Sequence, residues 1–169
     1  MGYTTMLNGI KVSKNDCLVQ VFGEIDELQT QLDKLLIYLE SSVYFQKEIV
    51  QLKRIEFLLW QLGGELSFGR PTKIISKPIV DSDVKDLEAW IDDFNLNIQR
   101  FQRFTNIVAI EANETRVRTR KIERNLVEYI KTRSLRAVIY RWVNRLSTYF
   151  FALAVSIEKK AEEVKETEK

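Results

Sequence analysis

Residues 111–130 read EANETRVRTRKIERNLVEYI. At 3.6 residues per turn, Ala112, Thr115, Thr119, Ile122, Leu126 and Ile130 fall on one side, so the stretch is predicted to be an amphipathic helix. Arg116, Arg120 and Arg124 lie one position past Thr115, Thr119 and Glu123. They stack at intervals of four and flank the inward seam. Three guanidinium groups in a row repel one another unless something negative lies across them. Each offers a planar fork suited to a carboxylate or a phosphate. This face therefore either meets acidic helices or forms an anion site.

The same period organises the rest of the chain. Val21, Ile25, Leu28, Leu32, Leu35 and Leu39 form one stripe, and Ile49, Leu52, Ile55, Leu59, Leu62 and Leu66 a second. Gly63–Gly64 would let another helix approach or let the second helix stop. Pro71 and Pro78 mark a loop. Asp81 or Ser82 can cap a third helix whose stripe is Val84, Leu87, Ile91, Phe94 and Ile98. A break near Arg100–Thr105 precedes the long helix, with Val108 inward at its start. A turn at Thr132–Ser134 leads to a last helix carrying Leu135, Val138, Trp142, Leu146, Tyr149, Leu153 and Ile157 inward. Residues 1–18 read as an irregular N-terminal loop, and residues 158–169 as a charged, fraying tail. No strand alternation persists. The expected fold is all-α: one domain over 1–169, an antiparallel five-helix bundle of the ferritin-like kind.

Composition excludes several functions. The 169-residue chain has a net charge of only +2, yet ten Lys or Arg stand against two acids between Arg116 and Arg145. That concentration needs an acidic counterpart in the fold or in a ligand. A nucleic-acid surface is one reading of it. The arginines lie on several sides of their helices, however, and no nucleic-acid partner is expected. Histidine is absent, which rules out a His base, a Ser–His–Asp triad and a His-ligated metal. Cys17 is the only cysteine, so no intrachain disulfide can form and a reducing compartment is expected. No apolar run has the length of a membrane span and the N-terminus shows no signal-peptide block. A cytoplasmic protein without a membrane partner is predicted. No glycine-rich phosphate loop of the standard nucleotide motifs occurs.

Candidate chemistry is therefore carried by side chains and loop backbone. Gly2-Tyr3-Thr4-Thr5, Gly9 and Val12-Ser13-Lys14-Asn15-Asp16 offer hydroxyls, an ammonium and backbone N–H groups that could wrap a phosphate chain; an ordinary disordered start is the alternative. Asp26 and Glu27 follow the inward Ile25, where an acid could fix an arginine fork. Asn144 neighbours the core residue Val143. Phe101 and Phe104 could cover a flat ligand or close a bundle end. Trp60, Trp90 and Trp142 are expected in the core or at an interface.

Taken together, these segments resemble the trimeric helical-bundle ATP:cob(I)alamin adenosyltransferases of the PduO type, from about Gly2 to Ala154. Thr4-Thr5-Met6-Leu7, Gly9 and Val12-Ser13-Lys14-Asn15-Asp16 resemble the family's glycine-rich start running into V-S-K-D-D. Phe22-Gly23-Glu24-Ile25-Asp26-Glu27-Leu28 resembles Y-G-x-[VI]-D-E-L, and Leu62-Gly63-Gly64-Glu65-Leu66 resembles L-G-x-x-L. Arg116 to Arg124 resembles R-x-x-x-R-R-x-E-R, and Val143-Asn144-Arg145-Leu146-Ser147 resembles L-N-R-L-S.

The resemblance implies transfer of the 5′-deoxyadenosyl group of ATP to cob(I)alamin, with adenosylcobalamin and triphosphate as products. It implies a homotrimer with sites between subunits, and Mg²⁺ with the triphosphate in the N-terminal nucleotide-binding loop, residues 1–18, where Thr4, Thr5 and Gly9 fall. By the same resemblance Lys14, Arg116, Arg120 and Asn144 would contact the nucleotide. Asp26 would pair with Arg116 across the subunit interface, Glu123 and Arg124 would support them, and Phe101 would lie near the lower corrin face. The chain also departs from the pattern. Met1-Gly2 stands where the family's T-G-D-x-G should end. Gln102-Arg103-Phe104-Thr105 replaces P-G-G, Lys121 replaces an arginine, and Thr148 an aspartate. A catalytically impaired corrinoid- or nucleotide-binding protein of the same fold is the alternative these departures suggest.

Overall fold

A computed structural model describes residues 2–6, 8–69, 77–96 and 102–167. A small hairpin, β1 (Tyr3–Thr5) and β2 (Lys11–Ser13), precedes five helices. These are α1 (Cys17–Glu40), α2 (Gln46–Phe68), α3 (Asp81–Asp93), α4 (Ile107–Tyr129) and α5 (Ala137–Thr167). The predicted all-α bundle is borne out. Pro71 and Ile98 lie outside the described residues.

Each long helix buries the stripe its spacing prescribes. Leu28, Leu32 and Leu35 of α1 face Leu52, Ile55 and Leu62 of α2, and Trp142, Leu146 and Leu153 of α5 fill the centre, all fully buried. α4 packs against α5 on one side and α1 on the other, while α3 leans on α5. The seam of α4 ends at the buried Tyr129, whereas Ile130 is exposed. The helix stops there, so Ile130 no longer follows the helical period.

Several expectations are corrected. The N-terminal segment is a hairpin with Tyr3 opposite Ser13 and Thr5 opposite Lys11. Gly9 permits its turn at a φ of 80°. Of the two readings of Gly63–Gly64, close approach holds, since Phe22 of α1 packs over Gly63, whereas α2 does not stop there but at Gly69, which takes the left-handed conformation (φ 68°) that closes a helix. The tail is helical as far as Thr167, and its first residue, Glu158, is buried. Neither Asp81 nor Ser82 caps α3. Asp83, on the third position, reaches back to the Val80 N–H at 2.9 Å.

Candidate active site

α4 places Arg116 and Arg120 next to α5, Arg116 over the Phe151 ring and Arg120 joined through Glu123 to Asn144. Arg120 donates to Glu123 Oε2 at 2.8 Å, and Asn144 of α5 donates to Glu123 Oε1 at 2.8 Å. Glu123 is buried, so one carboxylate fixes both a guanidinium and an amide while leaving their outer faces open. These three predicted residues are brought together in one hydrogen-bonded chain.

Arg116 sits one turn away and has a different environment. Its Nε donates to Asn113 at 2.7 Å, and its guanidinium lies over the Phe151 ring, 5.9 Å from the centroid. Among the described residues no carboxylate pairs with it. Burial, and then the charge of Arg120, lower its pKa. Both effects penalise a cation that lacks an anion, and a bound anion would relieve both. Asn113 and Phe151 were not foreseen from the sequence. Asn113 could have been found, because it stands three residues before Arg116 on the same helix face.

Apart from Arg124, the rest of the basic stretch is neutralised within the chain. Arg118 reaches Glu27 (2.9 Å), Arg133 pairs with Asp16 (2.7 Å), Arg145 with Glu88 (3.2 Å), and Arg141 with Asp81. Arg136 makes a two-pronged bond to the buried Glu65, 2.6 Å on each prong. Lys121, at the arginine position of the resembling motif, sits 3.6 Å from both Glu24 and Glu27 of α1. It is turned toward α1. Only Arg116 and Arg124 of the basic run lack a carboxylate partner among the described residues.

Beside Asn144 a cleft of about 470 Å³ opens between α3 and α5, with Lys85, Arg141 and Arg145 along its rims. The hairpin residues Thr4, Thr5, Gly9 and Lys14 stand at the end of the bundle where α2 stops, tied there by Asn8, whose amide donates to the Ser67 carbonyl at 2.6 Å. They are not joined to the arginine row by any hydrogen bond in the described part of this chain. Asp26 is likewise apart: it is exposed on α1, lining a groove with Gly23, Trp60 and Gly63. Phe101 lies outside the described residues. Phe104 packs edge-on against Phe151 at 6.3 Å, joining the bundle end to the Arg116 shelf.

Comparison with known proteins places the sequence and the fold. The cobalamin adenosyltransferase family model matches residues 1–157. A corrinoid adenosyltransferase of Citrobacter freundii is 30% identical over 159 residues, spanning 90% of this chain and 88% of its own. One from Bacillus subtilis is 28% identical over 157 residues, 90% and 80% of the two chains. A variant PduO-type adenosyltransferase from Lactobacillus reuteri, solved with ATP, superposes with a TM-score of 0.77 at 25% identity, over 94% of this chain and 91% of that one. Another variant of that enzyme, solved with cobalamin and ATP, has a TM-score of 0.81 at 24% identity, over 95% and 91%, and shares the fold. The chain belongs to the cobalamin adenosyltransferase family.

Proposed function

We infer that the protein transfers the 5′-deoxyadenosyl group of ATP to the reduced cobalt of a corrinoid. The observation that carries this reading is the half-buried Arg116, which has no carboxylate partner among the described residues of its own copy and stands beside the Arg120–Glu123–Asn144 chain. The Co(I) electron pair attacks the 5′ carbon, a cobalt–carbon bond forms, and the carbon–oxygen bond breaks with its electrons leaving on triphosphate. No proton changes hands, so the absence of histidine costs the reaction nothing. Alignment of cobalt, carbon and leaving oxygen is the main demand on the protein. Arg116, Arg120 and Lys14 would meet the charge that develops on the departing phosphates. Asn144, oriented by Glu123, would hold the nucleotide.

Mg²⁺ fits as an ion carried by the triphosphate. Among the described residues no cluster of three acidic, Cys or His side chains could hold a metal, whereas the hairpin hydroxyls of Thr4 and Thr5 suit phosphate-borne Mg²⁺. Once bound, it would neutralise phosphate charge.

The assembly is proposed to be a homotrimer in which Asp26 of one copy meets Arg116 of the next. The outer face of α1 and α2 supports this, since Ile37, Val50 and Trp60 there are 67%, 68% and 62% exposed. Such apolar exposure suits burial against another copy. The cytoplasm is the proposed location. Among the described residues no helix is long and apolar enough to cross a membrane.

The test is triphosphate release from ATP with and without chemically reduced cobalamin. Release should require the corrinoid, and Arg120→Ala should slow it by about a hundredfold, the usual scale for one transition-state charge contact. An Arg120→Ala protein with undiminished turnover would remove the assigned role. Cobalamin binding without ATP affinity would instead mark an impaired carrier.

A further inference from the structure

We propose that Glu158 is a positioning residue for Arg116, acting through the segment that leads into α4. This rests on the nucleotide role assigned to Arg116 above.

Glu158 lies two turns beyond Phe151 on α5 and is only 6% exposed. Its Oε1 accepts from the Thr105 N–H (2.9 Å) and hydroxyl (2.5 Å), and its Oε2 from the Asn106 N–H (3.0 Å). Asn106 in turn caps α4 by accepting from the Val108 and Ala109 N–H groups. A buried carboxylate is thus satisfied by neutral donors at the positive end of a helix dipole. Burial would raise its pKa, but these donors outweigh it and hold the carboxyl below the usual glutamate range. The clamp is ionised and engaged at neutral pH.

What the clamp holds is next to Thr105. Phe104 meets Phe151 edge-on, with ring planes at 76°, and Phe151 is the shelf under the Arg116 guanidinium. Otherwise, among the described residues, the Arg116 side chain has one hydrogen bond, to Asn113. Phe151 is half-buried, so its ring angle depends on Phe104 behind it. Three contacts therefore run from Glu158 to the guanidinium. If Glu158 were only a cap for α4, it would affect folding and nothing at Arg116.

Glu158→Gln keeps the volume and turns an acceptor into an amide donor facing an N–H. Calorimetric titration with Mg-ATP separates the two roles. The dissociation constant, and KM for ATP in the transfer assay, should rise about tenfold, as for loss of one charge-assisted hydrogen bond. In an Arg116→Lys background the same substitution should change them less than about twofold, because contacts in series do not add. Phe151→Leu should show the same coupling. Thr105→Val, which removes only the hydroxyl bond, should move the constant in the same direction by a smaller factor. It decides the matter if Glu158→Gln does not fold. Equal factors in both backgrounds, or unchanged ATP constants in Glu158→Gln or Thr105→Val, would overturn the proposal. A wild-type protein that binds ATP without adenosyl transfer would instead overturn the functional reading. The coupling would still be measurable in the ATP dissociation constant.

Discussion

Glu123 and Asn144, on different helices, are joined by a 2.8 Å hydrogen bond, and the second oxygen of Glu123 holds Arg120. The carboxylate is buried, so it orients its two donors rather than facing a ligand. Glu123→Gln would leave the shape intact but turn one acceptor into an amide donor. The expected outcome is a fall in kcat/KM for ATP of about tenfold to a hundredfold, as for a misplaced charge contact. Steady-state kinetics at saturating corrinoid would check it.

Arg116 should behave oppositely in stability and binding. Within one copy no carboxylate among the described residues pairs with it, so it contributes little to the folding of a single copy, where it is a desolvated charge next to Arg120. In an Asp26→Asn background, which removes the partner proposed on the next copy, Arg116→Ala should leave the melting temperature unchanged or raise it, while weakening ATP binding by about 2 kcal/mol, the usual size of a charge-assisted contact. Thermal melts with and without Mg-ATP would show this as a loss of ligand-induced stabilisation.

The contrast between these residues shows what the sequence could convey. The helix stripes were legible because every buried leucine of α1 and α2 repeats at the helical period. The link of Arg120 to Glu123 follows from a spacing of three. The hairpin was not legible: strands of three residues are too short to display alternation, and its one sign was Gly9. Glu158 was hidden inside a charged tail because its partners, Thr105 and Asn106, are more than fifty residues away. Phe151 falls outside the inward stripe of α5, and only the folded neighbour reveals the cation above it. The partner proposed for Asp26 lies on a second copy of the chain, so no pattern within one copy shows it.

Folding stability should fall in acid for a traceable reason. Burial raises the Asp16 carboxyl, but the Leu18 N–H and the Arg133 guanidinium outweigh it and hold the pKa below the aspartate norm. Lys34 and Gln31 hold Glu111 below the glutamate norm against its burial. Groups with lowered folded-state pKa values stabilise above their unfolded values, near 4, and lose that contribution as pH falls through the folded ones. Urea midpoints should decline below about pH 4.5, and Asp16→Asn should flatten the decline.

Glu56 has the opposite sign. Burial, then the Asp33 charge, raise its pKa. Its protonated form favours the folded state, so stability is greater at low pH and is lost as pH rises through the raised pKa. Glu56→Gln should stabilise the protein at neutral pH, with the gain shrinking as the buffer is acidified. Paired melts across pH would read it.

Arg136, the residue before α5, is tied to α2 through the buried Glu65 and also donates to the Ile79 carbonyl at 2.9 Å. Arg136→Lys keeps the charge and loses the fork. A destabilisation of about 2 kcal/mol is expected, since one buried carboxylate oxygen loses its donor. Urea unfolding would measure it.

The position of attack is tested most directly by running the reaction in heavy-oxygen water with reduced cobalamin and analysing the triphosphate by mass spectrometry. Attack at the 5′ carbon leaves every phosphorus–oxygen bond intact, so unlabelled triphosphate should form in equal amount to the adenosylated corrinoid. Heavy oxygen in the phosphate products, or phosphate formed without corrinoid, would contradict it.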